Sequence, residues 1–100
     1  MKLKNFKDHL RERLDKEEIK KLEYRAELEH ESLQILQHDI AAAITKHMEE
    51  SGMGFNDLTR SLGISPSQTA KILKGQANLT CASLAHIAAF LGKRPHLIFG

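Results

Sequence analysis

The residues whose types and spacing could do chemistry lie between Ser65 and Asn78. Ser67, Lys71 and Lys74 recur at intervals of four and three, which puts them on one face of a helix. Gln68 stands beside them, and Ala70 adds little bulk between. Hydroxyl, amide and ammonium groups of this kind donate hydrogen bonds to phosphate oxygens and to the acceptor edges of bases. A short helix presenting small polar and basic side chains outward fits the major groove of B-DNA. The bland alternative is two solvated lysines, with Ser67 and Gln68 serving only to cap the helix. Asn78 either stabilises the loop behind the helix or reaches a phosphate. The elements around these residues therefore decide between the readings.

Those elements are punctuated almost regularly. Gly54 can cap a helix from about Phe55 to Leu62, and Gly63 stops it. Ser65 opens the next, with Pro66 at its first position and Gln68 at its third. Proline's missing N–H costs nothing there, and Ser and Gln can cap each other's backbone donors. Gly75 ends that helix. Thr80 caps another, with Leu79 placed to staple onto Leu84, and Gly92 closes it. The three-residue connection Gly63-Ile64-Ser65 holds two short helices at a steep angle. Leu58, Leu62, Ile64 and Ile72 can then close one small core. Upstream, Leu33, Leu36, Ile40, Ala43 and Ile44 form a stripe that predicts a core-facing helix ended by Ser51-Gly52. Residues 95–99 read as one helical turn or a short edge strand.

The first third is different. Residues 1–31 hold nine Lys/Arg and nine Asp/Glu, against six and four in the remainder. Leu3, Phe6, Leu10 and Leu14 repeat at helical spacing. Asp15 can cap a further stretch, with Glu18 at its third position and Ile19, Leu22 and Ala26 along one line. One long helix or two with a bend near Asp15 both satisfy the pattern. Asp8 and Glu12 interleave with Lys2, Lys4, Lys7, Arg11 and Arg13, which suits a protein-facing helix better than a lipid-facing one. The expected architecture is all-α. Residues 1–31 form a charged amphipathic extension for a partner or dimer contact. Residues 32–100 form a compact helix-turn-helix bundle, with a possible short C-terminal strand or turn.

Composition bounds the function. One hundred residues suffice for a single small domain, and a net charge of +2 neither demands nor excludes nucleic acid. The single cysteine, Cys81, excludes an intrachain disulfide and fits a reducing compartment. No apolar run reaches transmembrane length and no signal-peptide core appears, which points to the cytoplasm and away from a membrane. His9, His30, His38, His47, His86 and His96 are not paired at three or four residues, so neither a metal site nor a cofactor is expected. No phosphate-cradling glycine loop, nucleophile motif or catalytic carboxylate pair can be placed, so the chain does not read as an enzyme.

The run from Gly52 through Ser65, followed by Lys71-Ile72-Leu73-Lys74-Gly75, resembles the phage-repressor-like (XRE/Cro) helix-turn-helix family. Asn78-Leu79-Thr80, Leu84, Ile87-Ala88 and Leu91-Gly92 fit that family's following helix. The resemblance implies sequence-specific binding of double-stranded operator DNA, commonly as a homodimer, with Ser65, Ser67, Gln68, Lys71, Lys74 and Asn78 at the interface. Three features depart from the pattern. Gly54-Phe55 stands for the usual Thr-Gln, Thr59 for an alanine, and Pro66 for the glutamine that often opens the recognition helix, so base readout falls to Ser67, Gln68 and Lys71. A charged helical extension before such a domain is similar in layout to HigA-type antitoxins, which bind a protein toxin and repress their own promoter. A stand-alone repressor of the same family is the alternative. So is a protein-interaction module that has lost DNA binding, which Phe55 and Pro66 favour.

Overall fold

A computed structural model of the chain describes residues 16–100. Four helices follow one another: α1 (Lys16–Ser51), α2 (Phe55–Leu62), α3 (Pro66–Leu73) and α4 (Cys81–Leu91), with no strand among the described residues. The fold is the all-α helix-turn-helix bundle that the spacing predicts. The expectations for Leu3, Phe6, Leu10, Leu14 and a bend near Asp15 fall outside the described residues. Glu17 and Glu18 lie in the first turn of α1, where negative charge complements the helix dipole. No glycine or proline interrupts the helix before Gly52, and none of the described helices is long and apolar enough to cross a membrane.

The internal contacts divide the chain after Leu33. In the first part, the described residues of α1 are all exposed, Ile19, Leu22, Leu28 and Leu33 included. In the second part, Ile44 from α1, Leu58 and Leu62 from α2, Ile72 from α3 and Ile87 from α4 make the core. Ile40, Met48, Ile64, Leu79 and Phe90 pack around it. Burying an aliphatic side chain of this size contributes about 1.5–3 kcal/mol, so every helix of the bundle is tied in by at least one such anchor. His47 meets Phe90 edge to face at 4.9 Å, adding an α1–α4 contact at the core's border.

Two elements differ from what the spacing predicts. The upstream stripe is only partly inward. Ile40 and Ile44 reach the core, but Leu36 is 43% exposed, and Leu33 and Ala43 are exposed too. An ideal helix turns about 100° per residue, so a line drawn through Ile44 leaves Leu36 and Ala43 off the narrow strip that α2 to α4 cover, whereas Leu33 falls near that line and is separated from Ile44 by about 16 Å of helix. The C-terminal residues 93–100 form neither a helical turn nor a strand. Pro95 lacks a backbone donor, and no strand among the described residues offers a ladder to join.

Candidate nucleic-acid interface

The site is set by how α2 and α3 are stopped, started and joined. Gly63 ends α2 in the left-handed conformation (φ +65°), and its N–H reaches back to the carbonyls of Thr59 and Arg60. A side chain there would be strained by that backbone alone. Two residues later Ser65 caps α3. Its Oγ accepts from the Gln68 N–H at 3.1 Å, and Gln68 Oε1 accepts from the Ser65 N–H at 3.4 Å. The reciprocal cap that the sequence predicts is therefore formed, and Pro66 sits at the first helical position. At the other end the Gln76 N–H bonds the Lys71 carbonyl at 2.9 Å and the Gly75 N–H the Ile72 carbonyl at 3.1 Å, the paired closure of a Schellman motif. An eight-residue helix cannot hold itself in water. These caps and the buried Ile72 are what hold α3.

The angle between α2 and α3 has a polar lock. Thr69 is the one fully buried polar residue among those described. Its hydroxyl donates to the Ser65 carbonyl at 3.1 Å and accepts from Thr59 Oγ1 at 2.9 Å. Thr59 Oγ1 also lies 3.0 Å from the Phe55 carbonyl, so its single proton is shared. Thr59, which in sequence is only a small substitute for alanine, thus bridges the two helices of the motif. No buried side-chain donor or acceptor is left without a partner among the described residues.

With Thr69 and Ile72 turned inward, Ser67, Lys71 and Lys74 are left on the exposed side of α3. The surroundings of the two lysines differ. Lys71, Gln68 and Asn78 line a cleft of about 560 Å³ between α3 and α4, together with Gln76, Ser83 and His86. Lys74 lines a smaller hollow with Gln34 and His38 of α1. Ser65 stays at the helix start as the cap. Elsewhere in the bundle Arg60 pairs with Asp57 at 2.6 Å and Lys46 approaches Glu50 at 3.9 Å. Lys71 and Lys74 have no ion-pair partner among the described residues, so both ammonium groups are open to an anion from outside.

Sequence spacing missed several residues at this cleft. Ser83 holds the α4 cap with Thr80, its N–H bonding Thr80 Oγ1 at 3.1 Å, and the Thr80-x-x-Ser83 spacing was the available signal. His86 Nε2 lies 2.8 Å from the Leu62 carbonyl, closing the end of α2. Gln37 of α1 bonds the loop that carries Asn78. No local pattern announces either of these two contacts. At the start of α2, Gly54 offers no side-chain cap. Asp57 reaches back to its N–H at 3.3 Å instead, which supplies half of a capping box. Cys81 is exposed at the first position of α4, and no cluster of histidine, cysteine and carboxylate groups suited to a metal occurs among the described residues.

Two helices at this spacing, with α3 closed at both ends and a cationic outer face, give a surface that offers donors to a phosphate backbone and to base edges. The comparison with protein families agrees with that geometry. Residues 43–96 match the model of the Cro/C1-type HTH DNA-binding domain, a span that takes in the end of α1 and all of α2, α3 and α4. No curated protein and no solved structure matches the chain significantly. The chain belongs to the family of Cro/C1-type helix-turn-helix DNA-binding domains, and so to the DNA-binding regulators.

Proposed function

We propose that this protein is a sequence-specific transcriptional repressor that enters the major groove of its operator with α3. The observation that carries the reading is the pair Lys71 and Lys74, exposed on one side of α3 and without acidic partners among the described residues. In this reading Ser67, Gln68 and Lys71 read base edges, while Lys74, Asn78 and the Ser65 end of the helix meet phosphate. The protein acts as a homodimer. Leu97, Ile98 and Phe99 support that, since a run of three such side chains with Phe99 90% exposed is an association surface waiting for a cover. The test is a gel shift of the full chain with the DNA upstream of its own gene across a salt series. Specific retardation that weakens steeply with salt is expected. Equal retardation of a scrambled duplex, or none, rejects the reading.

Residues 1–31 act as a partner-binding extension in this proposal, and the partner is the toxin of a toxin–antitoxin pair whose promoter the protein represses. The support is the exposed apolar line Ile19, Leu22 and Ala26 on a helix whose other positions are mostly charged. A small toxin-like reading frame beside the gene is expected. Its absence would reduce the assignment to a stand-alone repressor. One further reading has its own observation. Phe55 is exposed at the mouth of α2 and Pro66 opens α3, so two positions that a DNA contact could use carry no donor. A protein-interaction module would make use of both, and the same gel shift separates it.

A further inference from the structure

The loop between α3 and α4 carries Asn78 and is held from a point forty residues earlier in the chain. Gln37, half-buried on α1, donates from Nε2 to the Ala77 carbonyl at 3.0 Å and to Asn78 Oδ1 at 3.4 Å. A primary amide nitrogen has two protons, and here each has its own acceptor. The backbone of the loop also passes close to α1. A side chain at Gly75 would come within 3.7 Å of the Gln37 carbonyl, at a φ of +68° that glycine alone adopts freely.

The consequence falls on Asn78. An asparagine amide is nearly symmetric in shape and opposite in polarity at its two ends. With Oδ1 turned to Gln37, the NH₂ group faces away with two protons to give. Phosphate oxygens accept hydrogen bonds and donate none, so only this orientation favours contact with a DNA backbone. We infer that Gln37 is a positioning residue that fixes the polarity of the Asn78 amide so that Asn78 donates to a backbone phosphate. The inference rests on the DNA-binding reading above, and it concerns a contact separate from the side chains of α3. It also places a determinant of DNA affinity on α1, outside the matched segment 43–96.

A double-mutant cycle with the full chain and its upstream promoter duplex tests it. Gln37→Met keeps the length and neutrality of the side chain and removes both donors. Gln37→Met is expected to weaken binding several-fold and Asn78→Ala about tenfold, as for a hydrogen bond to a charged group. The double variant should then be no weaker than Asn78→Ala alone within a factor of about two. A second readout follows the side-chain amide signals of Asn78 by NMR as duplex is added. They should shift in the wild type and stay in place in Gln37→Met, with the Lys71→Ala variant as a control that loses affinity without losing the Asn78 signal change. Full affinity in Gln37→Met, or losses that multiply in the double variant, overturns the inference while DNA binding stands. A wild-type chain that binds no duplex at low salt overturns both.

Discussion

Residues 16–33 and residues 34–100 are built from the same helical repeat, yet their apolar side chains end up in opposite surroundings. In the second region Ile44 is fully buried, and Leu58, Leu62, Ile72 and Ile87 close on it from three further helices. In the first, Leu22 stands 53% exposed and Ile19, Leu28 and Leu33 are uncovered with it. Period fixes which side chains share a face. Burial needs a second element to meet that face, and among the described residues one is supplied only where glycine, proline and capping residues turn the chain back on itself. The exposed line of Ile19, Leu22 and Ala26 amid dense balanced charge suits the partner-binding role proposed above.

Truncation separates the two regions most sharply. Ile44→Ala should cost about 2–5 kcal/mol, read as a fall in the urea midpoint at constant slope. Leu22→Ala should stay within about 0.5 kcal/mol. Comparable losses at both positions would mean that residues 16–33 are packed against something in solution. Next in size is the polar lock. Thr69→Val removes the acceptor of Thr59 and the proton given to Ser65, and should cost about 1–3 kcal/mol. Thr59→Ala should lose most of its own effect in that background, because the two hydroxyls act as a unit. Ser65→Ala removes the α3 cap and should lower stability by about 1 kcal/mol, with DNA affinity falling alongside it. The smallest effect on stability belongs to the deletion of residues 1–31. The remaining chain keeps every core residue among those described and should melt cooperatively by circular dichroism and still shift promoter DNA, while losing capture of the protein partner proposed above. Loss of folding on deletion would place the extension within the core.

Much of the bundle is legible in the sequence because its boundaries are local chemistry. Gly63, Ser65-Pro66, Gly75, Thr80 and Gly92 each act within a turn of where they stand, and the helices begin and end beside them. The outward trio on α3 follows from the same spacing that turns Ile72 in. What could not be read depends on partners distant in the chain. Thr59 and Thr69 are ten residues apart and meet only after the turn has closed. Gln37 finds Ala77 forty residues on. Leu36 sits at helical spacing from Ile40 and Ile44 yet lies beyond the reach of α2 to α4. The tail defeated pattern reading for a related reason. Leu97-Ile98-Phe99 is apolar enough for a strand or a helical turn, but neither forms without a surface to form on.

The central claim is that the outer face of α3 reads DNA, and Lys71 tests it most directly. The measurement is a binding isotherm of the full chain on its upstream promoter duplex and on a scrambled duplex, at one moderate salt concentration, for wild type and Lys71→Ala. If Lys71 meets a guanine edge, the substitution should weaken promoter binding by about 1–3 kcal/mol. It should leave binding to the scrambled duplex far less changed. A promoter isotherm unmoved by Lys71→Ala, with the melting curve intact, would contradict the account and remove α3 from the readout of sequence.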